Sequence, residues 1–194
     1  MGGRFKGVVF AAAAAALIAL PSQARAEGYV TPWVGANWGS SINNGRAAFG
    51  VNAGAMGNGI IGGEVDFGYS PSFFGTRNDF GGNSVIDLMG NVIVGVPIGG
   101  TYGASVKPFV TGGLGLLRTQ VDGGTLANVQ NSNNMFGWNV GAGVMGYFNN
   151  HVGLRGDIRY LRGFEDLKTG NTVIDLGGNN QLSFWRLSGG VVLR

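Results

Sequence analysis

The sequence predicts an all-β protein that folds as an eight-stranded antiparallel up-and-down transmembrane β-barrel. Three observations predict this class. Apolar and polar residues alternate over long segments, which is typical of strands with two unlike faces. Glycine is abundant beside many aromatic residues, with 39 glycines and 12 phenylalanines in 194 residues. Short and long connections also alternate along the chain. Beyond the N-terminal segment no apolar run reaches the length of a spanning helix.

Residues 1–26 predict a cleaved secretory signal peptide, which leaves residues 27–194 as one barrel domain. A basic start is followed by an unbroken apolar run over residues 8–20 and by the small-x-small motif Ala24-Arg25-Ala26, so cleavage is expected after Ala26. A membrane-anchoring helix is the alternative, but it needs about 20 apolar residues.

Charge and cysteine content exclude several classes. Three of the 13 basic residues lie in the predicted signal peptide and none of the 10 acidic residues does, so residues 27–194 hold 10 of each. Nucleic-acid binding is not indicated, because it requires a basic patch in the folded domain. The chain has no cysteine, so disulfides and an acylated N-terminal cysteine are excluded.

The first two predicted strands each combine an apolar face with a polar one. In residues 29–39 (YVTPWVGANWG), Val34 lies on the apolar face and Asn37 on the opposite face. Residues 40–56 are rich in glycine and asparagine and are predicted to be a long polar loop. Residues 60–70 (IIGGEVDFGYS) then set apolar side chains against two acids.

The third and fourth predicted strands differ in how clearly they alternate. Residues 70–72 (SPS) predict a tight turn, and residues 73–77 (FFGTR) a short third strand followed by a loop at 78–82. Residues 83–98 (NSVIDLMGNVIVGVPI) alternate clearly and form the fourth strand. Short and long connections alternate only if residues 73–77 count as a strand, which gives an even number of strands.

The last four predicted strands alternate over long segments. They cover residues 106–119, 135–148, 153–164 and 182–194. Most of the predicted strands exceed the 5–6 residues typical of globular proteins and match the roughly 9–11 residues that cross a bilayer.

Connection lengths predict the orientation. The short connections are 70–72, 99–105 and 149–151, and the long ones are 40–56, 120–134 and 166–180. Short periplasmic turns, long extracellular loops and both termini at the short-turn end are typical of bacterial outer-membrane barrels.

Charged residues on the polar faces are predicted to form an ionic network that fills the lumen. An eight-stranded barrel is barely wide enough for its own side chains, and buried charges must be paired. Arginine suits this role because its planar fork binds carboxylates. Lys107 is a further candidate at a strand end, with Asn91, Thr111 and Asn139 filling gaps. The predicted network is Glu64, Asp66, Asp87, Arg155, Asp157, Arg159 and Arg186.

Aromatic residues on the apolar faces, mostly near strand ends, are predicted to face lipid, as in an interfacial girdle. They are Trp38, Tyr69, Phe136, Trp138, Phe148, Tyr160 and Trp185.

Several motifs resemble the family of small eight-stranded bacterial outer-membrane β-barrel domains, similar in architecture to the OmpA transmembrane domain, OmpX and OmpW. They are the signal peptide, GYVTPWVGANWG, GEVDFGYSPSFFG, KPFVTGGLGLLRT, GWNVGAGVMGYF and HVGLRGDIRYLRGF. The resemblance implies a monomer in the bacterial outer membrane, surrounded by outer-membrane lipid. It also implies handling by periplasmic chaperones and the barrel-assembly machinery. Family members typically end in an aromatic residue, whereas this sequence ends in Arg194.

The predicted function is a structural or surface-interaction role through long extracellular loops, with no cofactor, metal or catalysis. A narrow passage for small hydrophobic molecules is the main alternative, because Gly141 and Gly143 on the lumen face leave room. A soluble periplasmic ligand-binding barrel and an outer-membrane lipase or acyltransferase using His151 are further alternatives. His151 is the sole histidine, and no nucleophile and base are predicted near it.

Overall fold

Eight long strands close into one antiparallel barrel in the computed structural model. It describes residues 26–39, 42–73, 83–100, 103–122, 130–166, 168–169, 172–173 and 181–194. The barrel strands are β1 (Ala26–Gly39), β2 (Ile42–Gly57), β3 (Ile61–Pro71), β4 (Asn83–Gly95), β5 (Ser105–Asp122), β6 (Gln130–Tyr147), β7 (Val152–Asp166) and β10 (Gln181–Leu193). Around the ring they follow the order β1-β10-β7-β6-β5-β4-β3-β2, which confirms the predicted fold class. The short strands β8 (Lys168–Thr169) and β9 (Thr172–Val173) pair separately. Among the described residues, no helix is long and apolar enough to cross a membrane.

The second barrel strand lies where the composition predicts a loop. Residues 40–56 are not a polar loop, because β2 pairs with β1 from Ile42 to Gly57 and with β3 from Phe49 to Gly57. Its inward positions include Ala48, Asn52 and Met56, while Phe49 is exposed outside. The alternation is weak because most of its residues are small, so its two faces differ little in hydropathy.

The turn after β2 carries the clearest sequence signal for this hairpin. Asn58 and Gly59 both have positive φ, 49° and 68°, as the central residues of a type I′ turn require. The amide of Ile60 donates to the carbonyl of Gly57 at 3.0 Å. An Asn-Gly pair that follows alternating residues indicates a hairpin of this kind.

The barrel closes without the short strand predicted at residues 73–77. Phe73 lies in a turn, and residues 74–77 lie outside the described residues. The turn predicted at 70–72 begins later, because β3 continues to Pro71 and the turn starts at Ser72. The predicted count of eight barrel strands is still correct, because β2 takes the place of the strand predicted at residues 73–77.

The two ends of the barrel differ in their connections. Residues 58–60, 96–104 and 148–151 connect strands at one end, where Ala26 and Leu193 also lie. We call this the turn end. Residues 40–41, 72–82, 123–129 and 167–180 connect strands at the other end, which we call the loop end.

The barrel interior is apolar at both ends and charged in the middle. The turn-end cluster consists of Tyr29, Met56, Ile93, Phe109, Met145, Tyr147 and Val192. The loop-end cluster consists of Phe73, Val85, Met89, Leu117, Met135, Leu161, Leu182 and Phe184. The seven predicted lumen charges therefore lie between the two apolar clusters, and Lys107, also buried, lies nearer the turn end.

Candidate functional site

The middle layer of the lumen contains all seven charged residues predicted from the sequence. Four strands carry them: β3, β4, β7 and β10. Within each strand they occupy every second position, so their side chains lie on one face of the sheet. This face is the inner one. None of the seven is more than 4% exposed. Their ion pairs fall into two groups joined by a single carboxylate.

The larger group joins two arginines to two carboxylates. Arg155 donates through both terminal nitrogens to Glu64, at 2.5 and 3.2 Å, and through Nε to Asp157 Oδ2 at 2.8 Å. Arg159 donates to Glu64 Oε1 at 2.7 Å and to Asp157 Oδ1 at 3.0 Å. Each arginine thus bridges the same two acids, and the group has no net charge.

Two hydroxyl groups complete the hydrogen bonding of these acids. The Tyr29 hydroxyl donates to Glu64 Oε2 at 2.7 Å, and Ser188 Oγ donates to Asp157 Oδ1 at 3.0 Å. Charge-assisted hydrogen bonds of this kind are the strong ones in a protein interior.

The smaller group is an arginine–aspartate pair. Arg186 Nη2 donates to both carboxylate oxygens of Asp87, at 2.6 and 2.8 Å. Arg186 Nε donates to Asn37 Oδ1 at 3.2 Å, and Asn37 in turn donates to Ser70 Oγ at 2.6 Å. This group is also neutral.

Asp66 lies between the two groups with longer contacts. Its Oδ2 is 3.4 Å from Arg159 Nη1 and 3.4 Å from Arg186 Nη1. Its Oδ1 has no hydrogen-bond partner among the described residues.

The principal ion pairs cross the full width of the barrel. β3 and β7 are four places apart in the ring of eight strands, so Glu64 and Arg155 lie on opposite walls. β4 and β10 are also opposite, which places Asp87 across the lumen from Arg186.

Aromatic rings lie against two of the arginines. The Arg155 guanidinium lies 4.6 Å from the ring centre of Phe109, and that of Arg186 lies 4.8 Å from Trp33. Such contacts stabilise a cation that has been removed from water. Phe109 and Trp33 were not among the predicted site residues, although their parity places them inside.

The glycines proposed to leave room for a passage instead make room for lumen side chains. A Cβ added at Gly141 would lie 2.7 Å from Arg159 Cγ, and one at Gly143 would lie 2.6 Å from Phe109 Cζ. The space beside these two glycines, which the sequence suggests as room for a passage, is therefore occupied by the side chains of Arg159 and Phe109.

Neutral residues fill the remaining part of this layer. Asn139 Nδ2 donates to Asn91 Oδ1 at 2.6 Å, and the Thr111 hydroxyl donates to the carbonyl of Val92 at 3.2 Å.

Lys107 belongs to a separate group at the turn end. Its Nζ is 3.2 Å from Glu27 Oε2, and Arg194 Nη1 is 2.7 Å from the same oxygen. The Arg194 guanidinium also lies 4.1 Å from the ring centre of Tyr147. Lys107 therefore does not contribute to the middle layer.

The predicted lipid-facing aromatics lie on the outer face of the barrel. Trp38 and Trp185 are register partners across β1 and β10. The ring of Tyr160 is 5.1 Å from that of Trp185 and 5.6 Å from that of Trp138. These four rings form a continuous belt on β1, β10, β7 and β6.

The other three predicted aromatics lie elsewhere on this face. Tyr69 contacts Phe49, with ring centres 5.3 Å apart. Phe49 was missed because it lies in the segment predicted to be a loop. Phe136 and Phe148 are exposed, and Phe148 lies at the turn end.

The sole histidine lies apart from the charged layer. His151 is exposed in the turn between β6 and β7, where its backbone amide donates to Asn149 Oδ1 at 2.8 Å. Within the described residues, no group of three or more His, Cys, Asp or Glu side chains is arranged to hold a metal ion.

A closed sheet with an apolar, aromatic exterior and an ion-paired interior defines an integral membrane β-barrel of the outer-membrane class. Residues 10–180 match the family described as "Outer membrane protein beta-barrel domain", and the chain belongs to this family. The protein is located in the bacterial outer membrane. Comparison with curated proteins gives no match.

Solved structures share this fold at low sequence identity. Neisserial surface protein A (NspA) has 22% identity and a TM-score of 0.63, with 87% of this chain and 97% of that chain covered. The N-terminal β-barrel domain of Pseudomonas aeruginosa OprF has 15% identity and a TM-score of 0.51, with 86% and 98% covered. Ail, the attachment invasion locus protein of Yersinia pestis, has 11% identity and a TM-score of 0.50, with 86% and 97% covered.

Proposed function

We propose that the protein is a non-conducting structural barrel of the outer membrane that presents its loop end as an interaction surface. The filled lumen is the observation that carries this proposal. A solute moving along the barrel axis meets two apolar clusters and, between them, ion pairs that cross the lumen from wall to wall. Breaking such pairs leaves buried charges without partners, which is costly in a low-dielectric interior.

The same arrangement argues against catalysis. Glu64, Asp87 and Asp157 are each engaged by arginine at 3.0 Å or less, so they are held as structural ion pairs. A general acid or base must instead reach the proton that it transfers.

The loop end is suited to contact with other molecules because the longest strands extend beyond the bilayer. β5 and β6 have 18 residues each. A strand of that length spans about 59 Å at roughly 3.3 Å per residue. Tilted by about 40°, it rises about 45 Å, against a hydrocarbon thickness of about 30 Å. The strand ends TQVD and QNSNN are mostly polar, as expected for water-exposed segments.

The exterior is suited to outer-membrane lipid. The belt of Trp38, Trp138, Tyr160 and Trp185 has the composition of an interfacial girdle, in which aromatic rings lie at headgroup level. We expect the barrel to act as a monomer after delivery by periplasmic chaperones to the barrel-assembly machinery.

Planar-bilayer recording tests the closed lumen. We expect the purified, folded protein to give no steady unitary conductance. Arg186→Gln removes the cation of one cross-lumen pair and is the matched variant. Steady channels in the unmodified protein, with a conductance changed by Arg186→Gln, would show that the lumen conducts and would overturn the proposal.

A further inference from the structure

The charge balance of the middle layer leaves one carboxylate without a matching cation. Arg155 and Arg159 balance Glu64 and Asp157, and Arg186 balances Asp87. The seven residues therefore include four acids and three bases, and Asp66 is the fourth acid. Lys107 is not counted in this layer because it lies at the turn end, where Lys107 and Arg194 share the carboxylate of Glu27.

The geometry of Asp66 also distinguishes it from the other three acids. Each of the others accepts at least one hydrogen bond of 2.8 Å or less from an arginine. The arginine contacts of Asp66 are both 3.4 Å, and both involve only Oδ2. Oδ1 is buried and has no hydrogen-bond partner among the described residues.

The groups around Asp66 include both signs of charge. Glu64 on its own strand and Asp87 on β4 face it as anions, while Arg159 on β7 and Arg186 on β10 face it as cations. Both cations are already engaged by other carboxylates at shorter distances. An ionised Asp66 would therefore add an uncompensated negative charge to a layer that excludes water, and such a group tends to become neutral.

We propose that Asp66 binds a proton in the folded barrel and that the middle layer is electrically neutral for this reason. Oδ2 is the oxygen that faces Arg159 and Arg186. Asp66 and Asp87 share the guanidinium of Arg186. Two carboxyl groups this close do not both ionise readily, because their negative charges repel each other. The inference rests on the proposed closed lumen, because water and ions in an open lumen would screen the charge.

Infrared spectroscopy of the folded protein in detergent tests the proposal. A protonated carboxyl group absorbs apart from carboxylates, so we expect one protonated-carboxyl band at about pH 5, where a free aspartate is ionised. Asp66→Asn should abolish this band, while Glu27→Gln, which removes a carboxylate at the turn end, should leave it unchanged. No such band in the unmodified protein, or the same band in Asp66→Asn, would overturn the proposal.

A second measurement keeps the test valid if Asp66→Asn does not fold. Carboxyl-13C labelling of aspartate in the unmodified protein should shift the band, and labelling of glutamate should not. A band that shifts only with glutamate label would assign the proton elsewhere and overturn the proposal. The absence of the band in a protein that does not conduct would overturn this inference alone, whereas conductance would overturn the proposed function.

Protonation also predicts how stability depends on pH. A proton held more tightly by the folded state than by the unfolded state stabilises the fold at low pH, and this contribution is lost as pH rises. We expect the urea midpoint of the unmodified protein to fall relative to that of Asp66→Asn as pH rises from about 4, where a free aspartate titrates, until Asp66 also ionises in the folded barrel. A constant difference between the two proteins would contradict the proposal.

Discussion

Arg155 on β7 binds Glu64 through both terminal nitrogens of its guanidinium, across the full width of the barrel. The two residues are 91 positions apart in sequence, and their strands lie on opposite walls. The pair can form only when the ring of strands has closed. It therefore links closure of the sheet to neutralisation of the lumen.

Removing Glu64 should be among the most damaging single changes. Glu64→Gln removes one of the two carboxylates that neutralise Arg155 and Arg159. Removing one partner of a buried ion pair typically costs about 3–5 kcal/mol. The free energy of unfolding, measured by denaturant titration in lipid vesicles, should fall by that order. His151→Gln is the control, because it changes an exposed side chain in the turn between β6 and β7. Equal losses in both variants would contradict the assigned role of the middle layer.

Glycines that face the lumen should be sensitive to a single methyl group. A Cβ at Gly143 would lie 2.6 Å from Phe109 Cζ and 2.5 Å from Asp157 Cβ, and overpacking of this kind costs about 1–3 kcal/mol. We expect Gly143→Ala to lower the denaturant midpoint.

Gly156→Ala serves as the control for this substitution. Gly156 faces outward on the neighbouring strand, and the nearest atom to an added Cβ is 3.9 Å away. It should retain the midpoint of the unmodified protein. A Gly143→Ala variant that was equally stable would show that the lumen has unfilled space.

Tryptophan fluorescence should separate the two faces of the barrel. Trp33 is 4% exposed inside the lumen, whereas Trp185 is 41% exposed on the outer face. Variants that retain one tryptophan each, with the others replaced by phenylalanine, can be folded into vesicles of brominated lipid. The emission of Trp185 should be strongly quenched and that of Trp33 much less. Quenching of both to the same extent would contradict contact between the aromatic belt and lipid.

The orientation of the barrel can be tested with single cysteines, because the chain has none of its own. Asn134→Cys places a thiol at an exposed position of β6 near the loop end, and Asn150→Cys places one in the turn between β6 and β7. On intact cells, a membrane-impermeant maleimide should label Asn134→Cys only. Labelling of Asn150→Cys alone would reverse the orientation, and equal labelling after lysis provides the control for reactivity.

The strands that could be predicted were those whose two faces differ strongly. In β7 the charged residues Arg155, Asp157 and Arg159 alternate with small and apolar ones, and this alternation predicts the strand. In β2 most side chains are small, and only the Asn58-Gly59 turn indicated a hairpin. When that turn is overlooked, the connection lengths favour residues 73–77 over residues 42–57 as a barrel strand.

The sequence by itself determined which side chains face inward, since a period of two assigns every residue of a strand to one face once a single residue is placed. It also predicted four acids and three bases in the lumen, with Lys107 as a further candidate at a strand end. Only the closed barrel decided which charges meet. Pairs such as Arg155–Glu64 and Arg186–Asp87 depend on strand order and register around the ring, which bring residues together across the lumen that no local pattern relates. The position of Asp66 between two neutral groups follows from the same geometry.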